Sequence, residues 1–316
     1  MKKLDEESII KIIQGKLGNK KFVSEDVEIF NLGKTKIVSK MDTLVESTDI
    51  PPQMKLRNAA RKSIVACVSD FAAKGVCPQY GIISINLPNS ITRSKIDQIS
   101  NGFKSACDEY GIKILGGDTN AGKEFVFNVC IFGKSDSIIR RNGSKKGDLV
   151  FVTGPFGYTS AGLSILLEKK KIHGKFAKKA IDSVLYPKAK LRFGLKNKKY
   201  FSSSMDSSDG LSTTLNELSK QSKTKFIINN IPAKKELEDY ANSQKTDLKK
   251  LVFHGGEEYD FVFTINPKYR TIILKNAKLL GTEIIEVGYV TNGSGVYIVE
   301  NDKLVKLKDL GWKHFR

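Results

Sequence analysis

Arg140-Arg141-Asn142-Gly143-Ser144-Lys145-Lys146-Gly147-Asp148 runs directly into Leu149-Val150-Phe151-Val152 and then Thr153-Gly154-Pro155-Phe156-Gly157. The first nine residues are polar and contain two glycines, the composition of a boundary rather than of a buried element. The apolar run over 148–153 reads as a strand, Thr153–Gly157 as a tight turn, and 158–169 as a helix. On the N-terminal side, Ile9, Ile10, Ile12, Ile13 and Leu17 give helical spacing over 5–17, with Gly18 as the stop. Short β-like runs follow at 26–30 and 35–39. Residues 55–74 predict a long helix with Ala59, Ala60, Ile64, Cys67, Val68, Phe71 and Ala72 on one face, ended by Gly75 and Pro78. A strand at 79–87, a helix at 92–109, a buried strand at 112–115 and a strand at 124–133 complete that side. On the C-terminal side, strands are expected at 203–206, 225–230, 259–265, 283–291 and 296–300, with helices at 210–221 and near 268–280. Strands and helices mix on both sides of the boundary. That pattern predicts two domains of α/β (α+β) type, 1–140 and 141–316, and disfavours a bundle or a sandwich.

Composition narrows the chemistry. The chain has 316 residues, 53 Lys+Arg against 34 Asp+Glu, a formal net charge of +19, and 40% hydrophobic residues. No apolar run approaches the roughly 20 residues that cross a bilayer, and residues 1–18 lack the apolar core of a signal peptide. Cys67, Cys77, Cys107 and Cys130 show no C-x-x-C spacing, which argues against a zinc cluster and for a reducing, cytoplasmic setting. The lysine runs, among them Lys169 to Lys171 and Lys196 to Lys199, have few aromatics between them. They read as a solvated coat that draws in anionic small molecules, not as a base-stacking platform.

The acids are placed differently. They fall beside Gly, Ser or Thr in short segments: Glu25-Asp26, Asp42-Thr43, Ser69-Asp70, Gly116-Gly117-Asp118-Thr119, Asp206-Ser207-Ser208-Asp209-Gly210 and Gly255-Gly256-Glu257-Glu258. Carboxylates are the main ligands of hard cations such as Mg²⁺. Each segment also has a plainer reading. Gly116-Gly117-Asp118 is a common turn, and Ser208 or Asp209 can simply cap the helix at 210–221. Ser69-Asp70 is less ordinary, because it interrupts the apolar face of the 55–74 helix, where an acid needs a counter-charge or a metal. There is no P-loop, dinucleotide fingerprint or nucleophile elbow, and His173, His254 and His314 form no zinc pair. Trp312 reads either as a C-terminal anchor or as a face for a flat or cationic ring.

In this order the segments resemble thiamine-monophosphate kinase, of the ATP-binding superfamily that includes aminoimidazole ribonucleotide synthetase. The resemblance rests on Met41 to Pro51, Val68 to Gly75, Gly116 to Thr119, Arg141-Asn142-Gly143, Val152-Thr153-Gly154, Asp206 to Leu211, Gly255 to Tyr259 and the C-terminal Gly-Trp-Lys-His-Phe. It spans essentially the whole chain. It implies a synthetase-like subunit with an N-terminal mixed-sheet domain for dimerisation, ATP and Mg²⁺, and a C-terminal α/β domain that completes the site. It implies a homodimer and phosphorylation of thiamine monophosphate by ATP with several Mg²⁺. By position it implies metal ligands at Asp26, Asp42, Asp70, Asp118, Asp206 and Asp209. ATP contacts fall on Gly117, Asp118, Arg141 and Ser208, and substrate contacts on Asp49, Glu257 and Trp312. The sequence departs from the family at Lys40 and Met41, where hydroxyl residues often stand, leaving only backbone oxygens there as ligands. It departs again at Gly-Gly-Glu-Glu, where Gly-Gly-Glu-Asp is usual.

That chemistry suits the residues. A phosphate monoester already carries an anionic attacking oxygen, so no general base is needed. The barrier is the meeting of two polyanions, which cations and in-line positioning lower. Two rivals remain: another ATP-using enzyme of the superfamily, and a basic nucleic-acid-binding protein. The second leaves the acidic segments unexplained.

Overall fold

The computed structural model describes residues 4–19, 22–168, 172 and 174–313. Lys169 to Lys171, His173, His314 and Phe315, all named above, lie outside the described residues. In chain order the elements are α1 (Glu6–Lys16), β1 (Glu28–Leu32), β2 (Thr35–Val45), α2 (Glu46–Asp49), α3 (Leu56–Lys74), β3 (Pro78–Pro88), α4 (Arg93–Tyr110), β4 (Lys113–Gly122) and β5 (Val126–Lys134). After the boundary come β6 (Leu149–Val152), α5 (Tyr158–Leu167), α6 (Lys175–Leu185), α7 (Leu191–Asn197), β7 (Phe201–Asp206), α8 (Leu211–Ser222), β8 (Lys225–Ile228), α9 (Lys235–Ser243), α10 (Leu248–His254), β9 (Phe261–Ile265), α11 (Arg270–Leu280), β10 (Ile285–Thr291), β11 (Gly295–Glu300) and β12 (Lys303–Lys306).

The strands form two mixed sheets, ordered β1-β2-β5-β3-β4 and β12-β11-β8-β10-β6-β9-β7. The first lies wholly before residue 140 and the second wholly after it. Alternation along β2 and β5 turns Val38, Leu44, Phe127, Val129 and Ile131 to one face, where they are buried. Ile64, Val68 and Phe71 of α3 belong to the same core cluster as Val38, Val129 and Ile131. That cluster also holds Phe261 and Phe263 of β9, so α3 is shared between the two sheets. Lys40 and Asp42, at i+2 spacing from Val38 and Leu44, face α3 as well.

The opposite face of the first sheet is open. Met41, Tyr80, Ile82 and Leu115 are exposed there or on its edge. The expected buried strand at 112–115 is corrected: β4 continues to Gly122 and is mostly exposed at the sheet edge. Gly116-Gly117-Asp118 therefore lies inside a strand and is not a turn. Gly117 pairs with Ile83, and a Cβ there would fall 1.6 Å from Ile83 O, so the parallel pairing itself requires glycine.

Candidate active site

Three carboxylates from distant parts of the chain converge. Asp26 precedes β1, Asp70 is on α3 and Asp206 ends β7. One oxygen from each lies within 4.8 Å of the others, and all three residues are buried. Asp42 joins through Lys40, whose Nζ is 3.0 Å from Asp70 Oδ2 and 3.3 Å from Asp42 Oδ1. Two further cations stand behind Asp26. Arg141 Nε donates to Asp26 Oδ1 at 2.9 Å, and its NH2 group pairs with the same oxygen. Lys74 Nζ, fully buried, lies 2.8 Å from Glu25 Oε2 and 2.9 Å from Asp26 Oδ2, and donates to Ser204 O at 2.8 Å.

These neighbours divide the aspartates. Burial would raise Asp26, but Lys74 and Arg141 together hold it below the usual carboxylate range. Burial, reinforced by the Asp206 charge, pushes Asp70 well up despite Lys40. Burial likewise raises Asp206 to about 7, with Asp26 adding to the rise. Burial would lower Lys40, but Asp70 and Asp42 outweigh it and keep the ammonium charged. Buried carboxylates that repel one another are satisfied either by protons or by a cation. Asp26 Oδ2 has no aligned hydrogen bond despite its ion pair with Lys74. The donor set, all carboxylate oxygen, fits a hard divalent ion.

The cluster borders a cleft of about 530 Å³ that Asp42, Asp49, Ser208, Asp209, Glu257 and Trp312 also line. That volume is within the range of small-molecule sites. Val45 N–H donates to Asp49 Oδ2 at 2.6 Å. Lys62 is nearly fully buried; its Nζ donates to Asp49 O at 2.8 Å and pairs with Glu257 Oε1. Lys62 thereby ties two expected substrate residues together. The loop carrying Glu257 is strained: Glu257 and Tyr259 have φ of 65° and 51°. A Cβ at Gly256 would come 2.6 Å from Ser208 O, and Glu257 N–H donates to that same carbonyl at 2.6 Å. Glycine thus lets this loop close on the loop between β7 and α8. The N-cap position of α8 is Gly210, one residue after Asp209. Trp312 N–H donates to Asp209 O at 2.8 Å, and the indole remains exposed at the cleft rim.

The structure therefore gathers Asp26, Asp42, Asp70, Asp206 and Arg141 at the cluster. Asp49, Ser208, Asp209, Glu257 and Trp312 line the cleft. Gly117 and Asp118 are elsewhere. The register Thr43↔Asn128↔Ser84↔Asp118 puts Asp118 on the open face of the first sheet, opposite to Asp42. There it accepts a hydrogen bond from Asn120 Nδ2 at 2.8 Å. Lys62 and Lys74 are not among the residues the sequence singled out, and Lys40 stands out there only as a departure beside Asp42. The available signal was lysine at positions of α3 that share a face with apolar residues: Lys74 follows Phe71 by three and Cys67 by seven.

Residues 24–135 match the family model described as AIR synthase related protein, N-terminal domain. Over its full length the chain is 66% identical to all of the thiamine-monophosphate kinase of Nitrosopumilus maritimus (strain SCM1). It is 31% identical over the full chain to 99% of the thiamine-monophosphate kinase of Aquifex aeolicus (strain VF5). The chain belongs to the thiamine-monophosphate kinase family. A solved structure of AaThiL complexed with AMPPCP and TMP matches with a TM-score of 0.87 at 30% identity, covering 99% of this chain and 97% of that one. The hydrogenase maturation protein HypE, at 15% identity and a TM-score of 0.73, shares the fold alone.

Proposed function

We propose that this chain transfers the γ-phosphoryl group of ATP to the phosphate of thiamine monophosphate, giving ADP and thiamine diphosphate. The observation that carries the reading is the convergence of Asp26, Asp70 and Asp206 beside a cleft lined by both halves of the chain. Mg²⁺ held by Asp26, Asp42, Asp70, Asp206 and Asp209 would neutralise the phosphate charge, including that which builds on the bridging oxygen leaving with ADP as the γ-phosphoryl group passes to the acceptor. The chain's own residues do the rest. Arg141 and Lys74 keep Asp26 ionised, so one ligand is always ready. Lys40 offsets the charge shared by Asp42 and Asp70. Lys62 holds Glu257 and the Asp49 backbone in one arrangement, which favours a cationic thiazolium and an aminopyrimidine. Trp312 at the rim offers a ring to stack on it. The attacking phosphate oxygen is anionic already, so the absence of a histidine among the lining residues is no obstacle.

We take the working unit to be a homodimer. A single chain leaves Gly117 and Asp118 away from the cleft, on a sheet whose open side carries Met41, Ile82 and Leu115. A second copy covering that side is the arrangement in which Gly117 and Asp118 would meet nucleotide. A domain boundary near 140 agrees with the division of the strands between the two sheets. All four cysteines are free, which supports a reducing, cytoplasmic setting, and among the described residues no helix is long and apolar enough to cross a membrane.

The test is incubation with Mg-ATP and thiamine monophosphate, with thiamine diphosphate measured by chromatography. Asp70→Asn and Asp206→Asn should each lower turnover by about two to three orders of magnitude, the scale seen when one preorganised charge partner of a transition state is lost. A folded, ATP-binding protein that yields no thiamine diphosphate would refute the reading.

A further inference from the structure

Lys40 and Met41 stand side by side on β2 next to Asp42, but they do not share a fate. Side chains alternate along β2, so Met41 turns to the open face, where it is 60% exposed, while Lys40 turns toward α3 beside Asp42. The ammonium lies 3.0 Å from Asp70 Oδ2 and 3.3 Å from Asp42 Oδ1, bridging two of the carboxylates that the divalent ions would use. Asp26 is served by different cations, Arg141 on Oδ1 and Lys74 on Oδ2. The Asp42–Asp70 pair therefore has a covalently tethered counter-charge of its own, whereas Asp206 has none at salt-bridge distance among the described residues.

We infer that the Lys40 ammonium permanently occupies one cation position of the cluster, between Asp42 and Asp70, and excludes a divalent ion from it. The site then holds one fewer divalent ion than its aspartates would otherwise take. A lysine differs from a metal in that it cannot be lost by dilution and cannot accept a phosphate oxygen as an inner-sphere ligand. It supplies a point charge with three donors instead. Ions bound near Asp26 and Asp206 are left to contact phosphate directly. The inference rests on reading the cluster as a divalent-ion site.

The probe is Mn²⁺ alone, titrated into the full-length protein near neutral pH, with free ion read by electron paramagnetic resonance. Lys40→Met removes the charge without adding a ligand, and Lys40→Ser puts a short hydroxyl in its place. Each should bind one more Mn²⁺ per subunit than the unaltered chain. Equal stoichiometry and affinity in all three proteins would overturn the Lys40 assignment alone. No Mn²⁺ uptake by any of them would overturn the divalent-ion reading and this inference with it. A measurement on the unaltered chain stands independently of whether the variants fold. Labelling of Lys40 by an amine reagent, read by peptide mass, should stay slow in saturating Mn²⁺. Acceleration by Mn²⁺ would mean that the metal displaces the ammonium, and would refute the exclusion.

Discussion

Lys74→Met removes the most deeply enclosed cation of the site. Its Nζ is 2.8 Å from Glu25 Oε2, 2.9 Å from Asp26 Oδ2 and 2.8 Å from Ser204 O, and the residue has no exposed surface. Methionine fills a similar volume, so packing is largely kept. What is lost is the partner of two buried carboxylates and one buried carbonyl. Breaking one side of a buried ion pair costs about 3–5 kcal/mol. Arg141 remains on Asp26, and its backbone N–H still reaches Glu25 Oε1 at 3.2 Å. The expected loss is therefore at the lower end, about 3 kcal/mol, or a fall in Tm of roughly 10 °C. The sign with pH follows from Asp26. Its folded pKa is depressed below 3.8, so its stabilisation is present above that value and is lost as pH falls through the depressed one. Without Lys74 the orphaned carboxylates take up protons at higher pH. The gap between the two proteins should then narrow between pH 7.5 and 5. Thermal unfolding by circular dichroism at both values measures it, and Glu25→Gln added to Lys74→Met should recover part of the loss. A Tm within 1 or 2 °C of the unaltered chain at pH 7.5, or a gap that widens on acidification, would refute the reasoning.

Two further outcomes follow from other parts of the site. Trp312→Ala keeps the backbone bond to Asp209 O, so it should leave Tm and the KM for ATP unchanged. It should raise the KM for thiamine monophosphate by about tenfold, the scale of one cation–π contact; steady-state kinetics varying each substrate separately would detect an equal change in both and so dismiss the stacking role. Glu258 lies under α5, accepting from Gly157 N–H at 2.7 Å, and burial raises its pKa to about 7 from 4.5. Its contribution to stability is thus full below about pH 4.5 and lost as pH rises through about 7. Glu258→Gln should gain on the unaltered chain by up to about 3 kcal/mol between pH 5 and 8 in urea unfolding. A gap independent of pH would show that Glu258 is not the titrating group.

In the Gly255-Gly256-Glu257-Glu258 segment the second acid, Glu258, is buried at the N-terminal end of α5 and not at the Asp26–Asp70–Asp206 cluster. Its bond to Gly157 therefore anchors the loop of Gly256 and Glu257. The carboxylate that faces the cleft is that of Glu257.

The sequence by itself determined the elements that local physics controls. Helical spacing located α3 over Leu56–Lys74 against an expected 55–74, and alternation located β3 and β5 to within two residues at each end. The acid-rich segments contain the three carboxylates that converge, and Asp70 stands out among them because an Asp in an apolar helix face is unusual however the chain folds. Periodicity failed at Gly116-Gly117, where a pair of glycines that looks like a turn is held in a strand by its neighbour Ile83. Only the tertiary structure decided which acids meet. Asp26, Asp70 and Asp206 come together because α3 lies between two sheets, which brings Asp206 to residues more than a hundred positions before it. Asp118 is turned away because strand register, which sequence does not display, sets the face on which each side chain emerges. The same long-range packing turned Lys40, Lys62 and Lys74 into counter-charges of the site. An ammonium becomes part of a site only when burial removes water and leaves carboxylates as its partners.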